Sequence, residues 1–107
     1  MITITGNISS NRKQELCRTL ASNLSTLREK ANLKQDELAD KLGISRQNIS
    51  AIETGKHVMQ WSTFSMLVMF FAKDKEMKQI MTAMRIIDEE VEKTLSIAPE
   101  GQRKKDS

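Results

Sequence analysis

Residues 35–55 read QDELADKLGISRQNISAIETG, and the spacing of small, branched and polar side chains along this stretch decides the fold. Gln35 to Leu42 has helical spacing, with Asp36 and Glu37 in its first turn, where carboxylates favour the positive end of the helix dipole. Leu38, Ala39 and Leu42 fall on its inward side. Gly43 ends that helix because it takes a positive φ without steric cost. Ser45 suits the cap of a second helix, Arg46 to Thr54, which buries Ile49 and Ile52 and is closed by Gly55. Ala39 is small enough for the two helices to cross closely, and Ile44 helps Ile49 and Ile52 lock the second onto the core. The N-terminal half of the second helix is left presenting Ser45, Arg46, Gln47, Ser50 and Ala51 outward.

Outward from this unit the chain continues to read as helix. Ser10 or Asn11 is a good N-cap, and Leu16, Leu20, Leu24, Leu27 and Ala31 recur as one apolar stripe that Asn32-Leu33 breaks. A fourth helix is expected from about Ser62 to Ala72, with Trp61, Phe64, Leu67, Val68 and Phe71 inward and Met66, Met69 and Phe70 off that face. Residues 74–97 read as one long helix, with Met77, Ile80, Met84, Ile87 and Val91 at a and d spacing. That pattern fits either a short coiled-coil seam or an amphipathic helix packed on its own domain. Residues 1–10 read as a flexible N-terminal arm, residues 11–73 as the main domain and residues 98–107 as a flexible tail after Pro99 and Gly101.

Composition narrows the class. One hundred and seven residues suit a single small domain, and four Gly, one Pro, no Tyr and three Phe favour an all-α fold over a β one. The net charge of +3 is mild, but residues 10–60 carry nine basic and six acidic side chains, so the excess sits with the two-helix unit. The single cysteine, Cys17, forms no intramolecular disulfide, as suits a reducing cytosol, and its place among leucines reads as a small buried hydrophobe. No signal peptide is legible, and Phe64–Ala72 is far shorter than the ~20 residues a bilayer span needs. No enzyme is expected: His57 is the lone histidine, with no ligand set at metal spacing, and neither a phosphate-binding Gly-rich loop nor a nucleophile motif is present. No metal and no cofactor is therefore expected. Asp88-Glu89-Glu90 is expected on the wet face of the long helix.

The outward face of helix 46–54 has a chemistry of its own. Arg satisfies the two acceptors of guanine and Gln the donor–acceptor pair of adenine, while Ser bonds a base or a phosphate. Short side chains at Ser50 and Ala51 permit close approach to a thymine methyl, and no acid lies between Ser45 and Ser50 to repel phosphate. Double-stranded DNA is the partner these residues imply, with Ser45, Arg46, Gln47, Ser50 and Ala51 reading bases.

Gln35, Leu38, Ala39, Gly43, Ile44, Ser45, Ile49, Ser50, Ile52, Glu53 and Gly55 together match a loose family signature. The segment resembles the lambda-repressor-like (Cro/cI-type, XRE) helix-turn-helix family, the likeness extending over roughly residues 14–73. The resemblance implies a compact four- to five-helix DNA-binding domain, here followed by the long C-terminal helix. It implies that Gln35 contacts the DNA backbone, with Thr54 and Lys56 as further contacts and Arg28 and His57 as candidates. It also implies an ion pair between Arg28 and Glu53 that clamps the first helix to the third. Two departures stand out. Lys34 replaces the usual Ser or Thr before Gln35, losing a cap but adding charge toward the backbone, and Met59 stands near the usual proline, leaving the path of residues 56–61 open.

The expected function is sequence-specific DNA binding as a dimeric transcriptional regulator, a repressor, in the cytoplasm and on the nucleoid when bound. One helix reads only a few base pairs, so a homodimer on a near-palindromic operator is expected. Met66, Met69, Phe70, Met77, Ile80, Met84, Ile87 and Val91 are the expected dimer interface. Two alternatives stay open: an antitoxin-like repressor that also binds a toxin through its C-terminal helix, and a protein-interaction module that kept the fold without DNA.

Overall fold

A computed structural model describes residues 8–97, which form six helices: α1 (Ser10–Lys30), α2 (Gln35–Leu42), α3 (Arg46–Glu53), α4 (Trp61–Phe71), α5 (Lys75–Ala83) and α6 (Glu89–Leu95). No strand occurs among the described residues. The leucine stripe of α1 is the central rib: Leu16, Leu20, Leu24 and Leu27 are all buried, and the helix packs on both α3 and α4. Phe64, Leu67, Val68 and Phe71 of α4 close the core, while α2 packs on α3. No helix among the described residues is long and apolar enough to cross a membrane.

Three of the first helices end by the same device. Asn32, Gly43 and Gly55 all take positive φ (63°, 72° and 80°). Beyond each, the next N–H reaches back, as when Leu33 N–H donates to Arg28 O, Ile44 N–H to Ala39 O and Lys56 N–H to Ala51 O. At the other ends, Ser9 Oγ accepts the Arg12 N–H of α1 and Ser45 Oγ the Asn48 N–H of α3. Lys34 offers α2 no side-chain acceptor, but Glu37 Oε1 reaches back to accept the Lys34 N–H at 2.8 Å. Burial pushes the Cys17 thiol up despite the nearby Lys13 charge, which suits its place as a core side chain.

The long C-terminal helix is not formed; it is corrected to two short helices, α5 and α6. Arg85 takes φ +65°, Ile86 N–H closes back on Met81 O, and Asp88 restarts the chain by accepting the Val91 N–H at 2.9 Å. A non-glycine residue in this region costs ~1–2 kcal/mol. Burying Met81, Ile86, Ile87 and Val91, each 0–1% exposed, offsets that cost several times over. The a/d seam is consequently not an exposed face: Met77, Ile87 and Val91 are buried in their own chain, Ile80 and Met84 are half-buried, and only Met66 and Met69 are exposed. Asp88 is the N-cap of α6, not a residue of a wet helix face.

The N-terminal boundary also moves. Ile8 is 4% exposed in the core, Ser9 is the N-cap and Ser10 the first residue of α1, so these three belong to the domain. The rest of the proposed arm (residues 1–7) and the tail (98–107) lie outside the described residues.

Two ion pairs tie the C-terminal helices down. Arg12 of α1 meets Asp88 at 2.6 Å, and Lys78 of α5 meets Glu92 of α6 at 3.6 Å. Burial disfavours the Asp88 charge, but the Val91 N–H, the Arg12 guanidinium and the Glu90 N–H together outweigh it and hold the carboxyl below its usual range. A depressed carboxyl contributes stability that is present at neutral pH and lost as pH falls through the folded-state value. Asp88→Ala should cost about 1 kcal/mol in urea denaturation at pH 7 through loss of the cap. Asp88→Asn keeps a cap acceptor, so its smaller deficit should shrink as the pH is lowered; a deficit independent of pH excludes the charge contribution.

Candidate nucleic-acid interface

α3 presents the side chains singled out from the sequence along one edge. Ser45, Arg46 and Gln47 are exposed, and Ser50 and Ala51 are half-buried where the helix turns toward the core. Ile49 and Ile52, at 0% and 3% exposure, fix the opposite face. The close approach of α2 and α3 rests on Ala39, 3% exposed. Ser45 Oγ accepts the Asn48 N–H and keeps its hydroxyl proton to donate outward. Thr54 Oγ1 donates to Ser50 O, and Thr54, Lys56 and His57 lie exposed just past the helix.

Beneath this edge lies a four-residue polar network. Arg28 Nε donates to Glu53 Oε2 at 2.7 Å and Arg28 Nη2 to Glu53 Oε1 at 3.2 Å, a two-pronged contact. Arg28 Nη1 also donates to Leu33 O at 3.0 Å. Gln35 Nε2 adds a third hydrogen bond to the carboxylate at 2.9 Å, and Gln35 Oε1 accepts from Arg46 Nη1 at 3.2 Å. The side chains of Arg28 and Glu53 are only 13% and 7% exposed. The hydrogen bond to Glu53 raises the Arg28 pKa, burial opposes it, and the charges of Glu53 and Glu29 add to the rise.

Two residues expected at the DNA backbone, Arg28 and Gln35, belong to this network. Each of the three Arg28 guanidinium nitrogens donates to an acceptor inside the protein, the arrangement of a clamp between α1 and α3. The Gln35 side chain bridges Glu53 and Arg46, beside the N-terminal N–H groups of α2, which are free of intrahelical partners. Lys34 is exposed beside them.

A polar notch of about 390 Å³ opens between α3 and the start of α4, lined by Asn48, Lys56, His57, Gln60 and Thr63 among others. Asn48, Gln60 and Thr63 escape sequence reasoning. Gln60 is the N-cap of α4, but without serine, threonine or proline there the helix start carries little local signal. Residues 56–60 follow an irregular path that buries Met59 at 4% and leaves Val58 90% exposed. Met59 thus replaces a proline turn by anchoring the loop through its side chain.

Residues 24–58 match the family described as helix-turn-helix. No curated protein and no solved structure matches the chain. The matched residues run from Leu24 in α1 to Val58, and so contain the whole polar network and the whole outward edge of α3.

The network makes a stability prediction. Arg28→Met leaves a buried carboxylate with Gln35 alone and should cost ~3–5 kcal/mol in urea denaturation. Arg28→Lys should recover only part of that, because a point charge cannot make the two-pronged contact. A loss for Arg28→Met below about 1 kcal/mol, the range of exposed pairs, rules out the clamp.

Proposed function

This chain belongs, through residues 24–58, to the lambda-repressor-like (XRE-type) helix-turn-helix family of DNA-binding transcription regulators, and from that premise we propose that it is a dimeric, sequence-specific repressor. The observation that carries the reading is the exposed Ser45–Arg46–Gln47 start of α3, with no acid among residues 45–50, held on a buried ion pair. Packing does not account for those residue types, whereas a major groove does.

Gln47 reads a base directly. Arg46 does so after exchanging its hydrogen bond with Gln35 for the two acceptors of a guanine, and Gln35 is then free to turn toward a phosphate. Ser45, Ser50 and Ala51 line the rest of the contact. Lys34, Thr54, Lys56 and His57 position the backbone, joined by Asn48, Gln60 and Thr63 around the notch. Phosphate contacts set register and base contacts set sequence, so the two groups differ in what their loss does.

Two copies are needed for a useful site, since one helix reads half of it. The pairing surface is now smaller than the heptad pattern implies. Met66 and Met69 of α4, at 38% and 48% exposure, are its centre, and Phe70, Ile80 and Met84 are only half-buried. Repression follows from occupancy of a near-palindromic operator.

In vitro selection from random duplexes should yield one near-palindromic motif with half-sites about one helical turn apart. On the selected site Arg46→Ala or Gln47→Ala should cost ~1–3 kcal/mol and relax one base pair, whereas Lys56→Ala should weaken all sequences alike and reduce the salt slope by about one. A flat selection result contradicts DNA reading. Met66→Ser/Met69→Ser should shift the protein toward monomer in sedimentation without changing its helicity; an unchanged dimer excludes this surface.

A further inference from the structure

A second and larger groove, of about 790 Å³, lies along α1 on the side of Lys13, Cys17 and Arg18. Its opposite wall is the 52–61 stretch, and the proposed base contacts take no part in it. The volume falls within the ~300–1,000 Å³ typical of small-molecule sites. Cys17, Ile52 and Met59 contribute apolar surface and are themselves nearly buried, at 5%, 3% and 4% exposure. Trp61 bounds the groove. Its ring stacks on the fully buried Phe64, with centroids 4.6 Å apart and planes 13° apart.

The groove's charge is one-sided. The Lys13 ammonium sits 5.2 Å from the Trp61 ring centroid, and neither Lys13 nor Arg18 has an ion-pair partner among the described residues. The one carboxylate in the lining, Glu53, is ion-paired with Arg28 and takes a further hydrogen bond from Gln35. An aromatic wall, an apolar floor and two cations without ion-pair partners on the same helix complement a ring that carries an acid. A bare phosphate satisfies the cations and leaves the apolar floor exposed.

We propose that this groove binds a small amphipathic organic anion of the aryl carboxylate class. The ring lies against Trp61 and Met59, and the carboxylate lies between Lys13 and Arg18, with the ammonium exchanging its ring contact for the acid. Thr54 and His57 belong to the same wall and to the proposed DNA backbone contacts. Resting on that DNA-binding reading, the ligand is an effector, because filling the groove restrains the loop that carries those contacts.

The probe is 1-naphthoate, titrated into the nitrogen-15-labelled full chain while following the indole N–H resonance of Trp61, the only tryptophan. The resonance should move saturably to a single end point. The neutral analogue 1-naphthylmethanol should bind at least about tenfold more weakly, a difference of ~1.4 kcal/mol. Lys13→Gln/Arg18→Gln should bring naphthoate down to the affinity of the alcohol, which itself should not change, with the amide spectrum still that of the folded protein. No saturable shift, equal affinities for the two probes, displacement of naphthoate by equimolar inorganic phosphate, or an unchanged double variant overturns the site. Saturating naphthoate should alter affinity for the selected duplex at least about threefold; no change overturns the effector role. The probe titration contains no DNA, so its failure leaves DNA reading standing, and failure of the ligand-free protein to bind any duplex leaves the groove standing.

Discussion

The buried Arg28–Glu53 pair is the constraint on which the reading edge depends. It joins the last turn of α1 to the last turn of α3, and Gln35 at the start of α2 completes it. Three helices are thereby tied through side chains of defined length and direction, where apolar packing alone would tolerate sliding. The pair is not a cheap source of stability, since taking both charges out of water costs several kcal/mol per ion. Its two-pronged contact and the extra hydrogen bonds from Gln35 and to Leu33 O meet that cost. What the pair adds beyond energy is direction: it sets where the N-terminal end of α3 points. The hydrogen bond from Arg46 to Gln35 carries the same network out to the surface.

The C-terminal helices reinforce this frame from the far end of α1. Arg12 holds the N-cap of α6, and Met81, Ile86, Ile87 and Val91 complete a core that α1 to α4 leave partly open. Of the residues that suggest a coiled-coil seam, Met77, Ile87 and Val91 are buried in this same core and Ile80 and Met84 are half-buried against it. α5 and α6 are thus part of the domain that holds α3, and the exposed methionines, Met66 and Met69, lie on α4.

The helix-turn-helix unit is legible in the sequence because its requirements are local and discrete: a small residue at a crossing, glycines at positive φ and a serine cap. The ion pair is also legible, but only through family resemblance, since twenty-five residues of chain separate its partners. The break at Arg85 is hidden because nothing in arginine announces a positive φ, and the apolar spacing of one helix continues unbroken across it. Asp88 followed by Glu89 and Glu90 was the available signal, a cap with acids in the first turn, and it competed with an equally good reading as a wet helix face. The hydrogen bonds that Gln35 makes to Glu53 and Arg46, and Arg28 to Leu33 O, are hidden for a different reason. A side chain's second hydrogen-bonding atom goes wherever tertiary neighbours place a partner, and sequence spacing carries no information on that.

Amide chemical-shift mapping of the full chain on addition of a duplex obtained by selection tests most directly whether this frame exists to present α3 to DNA. The largest perturbations should fall on residues 45–51, with a second group at residues 34–36 and 54–60 and little change across α5 and α6. Perturbations confined to α5 and α6, or a spectrum that does not change with the duplex, would contradict it.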